Sequence, residues 1–279
     1  MAGSFSNSIA LVKASANVLR LDKELMVFPL MSGIATVLVT ASFIVPFVWT
    51  GGFRVFPEGN GAAYLTYVLG FLFYMVQYTI IFFFNSALVG AALIRLGGGD
   101  PTVSDGLAIA SKRFGTIVGY AAIAATVGMV LRFISERGGI VARLASGFAG
   151  MAWTLATYLA VPILVTKNIG PIDAVKESAA LFKRTWGEQV VGNFGMGAVI
   201  FLVGLSWTAV SCGLVWAAGS MGPQAMVAAA CVAVLGYVFL GLVGSALNGI
   251  YTAALYRYAV TGEAGYFDPG IMGSAFRPK

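Results

Sequence analysis

The sequence predicts an all-α polytopic membrane protein: six transmembrane helices arranged as three repeated units, each an amphipathic helix followed by a two-helix hairpin. Three observations lead there. The 279 residues are 59% hydrophobic and only 10% charged, and the mean hydropathy is +0.88, a balance outside the soluble range. Six apolar stretches are long enough to cross a hydrocarbon core of about 30 Å. A basic, aromatic, glycine-bearing ending precedes the later odd-numbered stretches, and a related charged segment precedes the first.

The spans run Leu25 to Trp49, Ala62 to Ile94, Phe114 to Leu131, Leu144 to Thr166, Val190 to Ala217 and Gln224 to Tyr256. The second and sixth are overlong, so they tilt or project into water. No cleavable signal is visible, so targeting falls to the first span. With the amino terminus inside, thirteen basic residues lie on the cytoplasmic side and four, Arg54, Arg132, Arg137 and Arg143, lie outside. That asymmetry follows the positive-inside rule and puts both termini in the cytoplasm. The stretch "RFISERGGIVAR" holds three of the four exceptions.

The segments before the odd spans are "SIALVKASANVLRLDKELMVF", "DPTVSDGLAIASKRFGTIVG" and "GPIDAVKESAALFKRTWGEQVVG". In the second and third, Pro101 or Pro171 opens a helix at its first position, and Asp105 or Asp173 adds negative charge near the positive end of the helix dipole. Lys112-Arg113 and Lys183-Arg184 then precede "FG" and "TWG". In the first segment Phe5, Ile9, Val12, Ala16 and Leu19 form an apolar face, while Lys13, Asn17, Arg20 and Glu24 form a polar stripe. Ile172, Val175, Ala179, Phe182 and Trp186 do the same in the third. Such helices fit the membrane surface, and the plain alternative is a loop helix packed on its neighbours. Residues 1–279 are thus one membrane domain with units 1–95, 96–166 and 167–279.

Within the spans, Gly115 with Gly119, and Gly241 with Ser245 and Gly249, have the four-residue spacing of close helix packing, and spans five and six are expected to be the tightest pair. Pro29, Pro46 and Pro162 are expected to bend or end their helices. Gln77, Asn85, Asn193 and Asn248 are intramembrane amides, read either as hydrogen bonds between helices or as the lining of a solute path. No carboxylate lies deep in a span, and histidine is absent, so a proton relay of the usual kind is missing. Cys212 and Cys231 read as small buried side chains, and Asp22, Glu24, Asp173 and Glu177 as solvated charge. "GGGD", "PIDAVK" and "LGGGDPTVSDG" touch the patterns of intramembrane aspartyl proteases, mitochondrial carriers and phosphate loops, but each lacks the rest of its motif.

Lys13, Ser15, Val18, Leu19, Asp22, Lys23, Glu24, Leu25, Phe28 and Pro29 spell a K-x-S-x-x-V-L-x-x-D-K-E-L helix running into F-P. With the six spans and "LFKRTWGEQVVG", this resembles an uncharacterised family of six-span bacterial integral membrane proteins. The resemblance implies a bacterial cytoplasmic (inner) membrane and carries no catalytic residue. The expected function is a non-enzymatic scaffold or accessory subunit without cofactor or metal. Lys13, Arg20, Lys23, Lys112, Arg113, Lys183, Arg184 and Trp186 would contact anionic lipid or a protein partner, and nucleic acid is not expected. The alternatives are a channel or carrier for a small uncharged or anionic solute and, last, a membrane enzyme.

Overall fold

A computed structural model describes residues 2–49, 60–186 and 196–270. Among these residues the secondary structure is helical throughout, without a strand. The order is α1 (Ala2–Leu21), a short 3-10 turn (Lys23–Met26), α2 (Val27–Trp49), α3 (Asn60–Leu96), α4 (Val103–Lys112), α5 (Phe114–Arg137) and α6 (Gly139–Ala156). There follow α7 (Ala160–Thr166), α8 (Pro171–Trp186), α9 (Met196–Gly219) and α10 (Pro223–Thr261). Six segments, with α6 and α7 counted as one, are long and apolar enough to cross a membrane, which makes this a multi-pass membrane protein. By alternation α1, α4 and α8 lie at one end of the bundle, here called the base.

Local chemistry explains the breaks. Pro162 in α7 has no N–H, and its ring crowds the carbonyl four residues earlier, at Tyr158, so span four breaks over residues 157–159. Pro29 lies in the first turn of α2, where an amide donor is not needed, and Pro46 lies inside α2 without ending it. The expected long loop between spans three and four is instead helical on both sides of Gly138, because Gly139 takes a φ of +65° and lets α6 start at once. Pro101 is not the first residue of α4. Thr102 is the N-cap, with Asp105 completing a capping box, and this reciprocal pairing fixes the start at Val103 instead.

The buried core sits at the base, where Phe28, Leu25, Leu88, Ile117, Ile163, Ile250 and Leu255 are almost wholly enclosed. The helices α1, α4 and α8 all turn small residues toward this core. In α1 the buried stripe is Ser8, Leu11, Ser15 and Val18, continuing to Asp22, one step round from the expected apolar face. In α4 it is Gly106 and Ala110, and in α8 Ala174, Ser178 and Leu181, with Ile172 left exposed. Small side chains let a helix axis come close, and larger apolar neighbours are then displaced to the flank. Gly106 shows how close: a Cβ there would lie 2.4 Å from Phe28 Cζ and 2.8 Å from the Ala87 carbonyl.

The predicted packing glycines divide. Gly249 in α10 meets Leu88 of α3, where a Cβ would fall 2.4 Å from Cδ2, and Gly119 meets Pro171 at 3.0 Å. Gly115 and Gly241 face open space, and Ser245 is exposed. The α9–α10 pair instead closes through Gly236 against the Trp207 ring, with Trp207 Nε1 donating to the Ala233 carbonyl at 3.2 Å. Cys212 and Cys231 are free and exposed rather than buried, because the α9–α10 hairpin packs little beyond itself away from the base.

Candidate functional site

Two polar constellations stand out. At the base, the chain between α1 and α2 carries an ionic clasp. Asp22 is 5% exposed and accepts from Arg95 Nε at 3.3 Å, and Arg95 also pairs with Asp100. Glu24 Oε2 accepts the Val103 N–H at 2.9 Å, so a carboxylate next to α2 caps α4. Asp22 and Glu24 were expected to be solvated. Asp22 is drawn in because α3 ends beside the helix break and presents the Arg95 guanidinium, whereas Glu24 stays exposed while it accepts the first amide of α4. The backbone N–H and hydroxyl of Thr102 hold the Asp105 carboxyl below its ordinary value. Glu177 pairs with Lys167 and raises the lysine above its ordinary value, while Asp173 pairs with Lys176 at 3.6 Å.

The basic residues singled out in the sequence lie around this clasp. Lys13, Arg20, Lys23, Lys112, Lys183 and Arg184 are exposed, whereas Arg113 is half-buried and donates to Asn168. The Trp186 side chain and all of Asn193 lie outside the described residues.

The second constellation lies inside the membrane-spanning region. A cavity of about 340 Å³ opens among α3, α5, the α6–α7 break and α10. Tyr120 and Ala124 of α5, Val161 of α7 and Thr252 of α10 are its buried floor, and Thr154 and Asn248 are its exposed rim. Asn85 and Asn248 both line it. Neither amide makes a side-chain hydrogen bond among the described residues, and no charged residue contributes to the lining. Gln77 is elsewhere. It donates to Thr40 Oγ1 at 2.6 Å and to the Thr36 carbonyl at 3.3 Å, joining α3 to α2.

A ladder of rings leads into the cavity along α3. Tyr74 stacks on Tyr78 at 6.4 Å, Tyr78 on Phe82 at 5.7 Å, and Phe82 meets Tyr120 of α5 at 4.6 Å. Its distal end is held by Arg132, whose Nη1 donates to the Tyr74 hydroxyl at 2.8 Å. The sequence reading missed these rings, although the four-residue spacing of Tyr74, Tyr78 and Phe82 puts them on one helix face. The break beside the cavity is supported from outside the span, for Ser178 Oγ of α8 accepts the Leu159 N–H at 3.0 Å. That bond satisfies an amide which hydrocarbon would leave bare.

Residues 64–266, from within α3 to just beyond α10, match a family of unknown function (DUF6159). The K-x-S-x-x-V-L-x-x-D-K-E-L segment precedes the matched residues. No curated protein and no solved structure matches the chain.

Proposed function

The chain belongs to the DUF6159 family of unknown function, and from that premise we propose a non-enzymatic scaffold or accessory subunit whose base engages anionic lipid headgroups or a protein partner. One observation supports this best. The base carboxylates Asp22, Glu24, Asp105 and Glu177 are engaged internally, while Lys13, Arg20, Lys23, Lys112, Lys183 and Arg184 project outward. The positive charge is therefore left free at the edge of the membrane, where each Lys or Arg near an anionic surface contributes about 1 kcal/mol. On this reading the base faces the cytoplasm of a bacterial inner membrane, with both termini on that side. The three amphipathic helices head three units of common plan.

The test is reconstitution into nanodiscs of mixed phosphatidylglycerol and phosphatidylcholine, followed by measurement of the lipid retained on the protein. Replacing Lys112, Lys183 and Arg184 by Gln abolishes most phosphatidylglycerol enrichment and lowers recovery of any co-purifying partner. Unchanged retention and unchanged recovery together would sink the reading.

The shared cavity of Asn85 and Asn248 favours a second reading, passage of a small solute, and the uncharged lining selects an uncharged one. Proteoliposome swelling with glycerol or urea tests it, and swelling no faster than in empty vesicles excludes those solutes.

A further inference from the structure

We propose that the cavity between α6 and α10 binds the uncharged polar head of an amphiphile dissolved in the bilayer, entering sideways between Thr154 and Asn248. The ligand class is a neutral lipid whose head carries hydroxyl and ester carbonyl groups, as in a diacylglycerol. This goes beyond the base-centred function and does not depend on it.

The position of the mouth comes first. Thr154 and Asn248 are its exposed rim, and both lie well inside segments that cross the membrane, Gly139–Thr166 and Pro223–Thr261. Thr154 is five residues before Leu159, which bonds to Ser178 of the base helix α8, and Asn248 lies on the base side of the most apolar stretch of α10, which ends before Ala246. The opening therefore lies toward the base side of the spans, bordered by the exposed apolar side chains of Phe148 and Met151 of α6 and Phe239 of α10, a level where lipid ester groups meet the hydrocarbon. The packing leaves it open, since α6 lies on α5 and α8 while α10 lies on α9, α3 and α1.

The lining then sets the chemistry. Asn85 and Asn248 bring amide groups without side-chain partners among the described residues. Thr154 spends its hydroxyl proton on the Gly150 carbonyl at 2.9 Å, so its oxygen offers lone pairs to a ligand hydroxyl, whereas Thr252 is bonded to the Asn248 carbonyl at 2.8 Å and to Tyr158. The amide NH₂ groups and the Tyr78 hydroxyl offer protons to a carbonyl. A site with both donors and acceptors and no charge matches a neutral head. A phosphate would be desolvated there without a countercharge, which is strongly unfavourable. Phe82 and Trp153 supply apolar walls for the ester region, and the acyl chains remain outside, along the exposed faces of α6 and α10.

The experiment uses the full chain in phosphatidylcholine nanodiscs containing either a diazirine-bearing diacylglycerol or a diazirine-bearing phosphatidylglycerol, with labelled peptides mapped by mass spectrometry. The diacylglycerol probe labels α6 and α10 beside the mouth, saturates with concentration, and is displaced by unlabelled diacylglycerol. The phosphatidylglycerol probe labels exposed helix faces without saturating. Two variants are read. The pair Asn85→Leu with Asn248→Leu weakens saturable labelling roughly tenfold, as loss of one or two net hydrogen bonds implies. Thr154→Phe blocks the mouth from an exposed position, where the threonine hydroxyl bonds within its own helix, so it preserves the fold while abolishing labelling. Labelling that fails to saturate, that is equal for the two lipids, or that survives Thr154→Phe in folded protein overturns the proposal and leaves a cavity occupied by water alone.

Discussion

The two halves of α10 make opposite use of similar residues. From Ala246 to Tyr256 the helix is pressed against α3 and α1, with Ile250, Ala253 and Ala254 enclosed and Gly249 in contact with Leu88. Nearer its start, Val227, Val234, Leu235 and Phe239 are exposed, and the tightest contact is with its own hairpin partner at Trp207. The most apolar stretch of α10 falls in the exposed half, so hydropathy marks what faces lipid and not what is enclosed. What differs is where the extramembrane helices stand. At the base α1, α4 and α8 fill the spaces between hairpins with small side chains and close the ends with charge, whereas away from it each hairpin packs mainly on itself. The bundle's rigidity is thus set at one end.

Substitutions can break this contrast, the largest effect first, each read by unfolding in mixed micelles. Arg95→Gln leaves Asp22 buried without its cation and destabilises by about 3 kcal/mol, whereas Asp22→Asn combined with Arg95→Gln recovers part of the loss. Gly106→Ala drives a methyl into Phe28 and the Ala87 carbonyl and costs about 2 kcal/mol, because backbone cannot step aside. Thr102→Ala removes the α4 cap and costs about 1 kcal/mol. Gly241→Ala and Gly213→Ala, where a Cβ meets nothing, change the sign and stabilise by roughly 0.5 kcal/mol through helix propensity. A destabilising Gly241→Ala would show that the distant half is packed as firmly as the base.

The smallest effect is on pH. The Asp105 carboxyl is held below its ordinary value of 3.8, so its contribution to the α4 cap is fully present above 3.8 and is lost as pH falls through the lower folded value. Lys167 has the opposite sign: raised by Glu177, its contribution is present below 10.5 and is lost as pH rises through the folded value. Asp105→Asn flattens only the acid limb of a stability profile, and Lys167→Met only the alkaline limb.

Much of the architecture could be read from the chain, because a bilayer imposes length and apolarity on every crossing. The spans, the elbow at Asp22 and the closeness of Gly249 follow from that and from four-residue spacing. The faces of α1 and α8 were harder, since a hydrophobic stripe marks what avoids water and does not distinguish a neighbouring helix from lipid. Ser15 and Ser178 look like surface residues in sequence but are fully buried. The roles of Asp22 and Glu24 were hidden for another reason: their partners, Arg95 and the Val103 amide, lie more than seventy residues away along the chain. Of the intramembrane amides, Asn85 and Asn248 share the cavity and Gln77 does not, a division that depends on helix rotation and not on composition.

The support that Ser178 gives to the Leu159 amide also bears on biogenesis. A ribosome delivers the broken fourth span before it delivers the hydroxyl that completes it, nineteen residues later. At a synthesis rate of about 5–20 residues per second, that interval lasts roughly 1–4 s. During it the freed amide has only water, lipid headgroups or the insertion machinery to turn to. The hairpin of α5 and α6 is then finished from outside the hydrocarbon, by a helix that never crosses it.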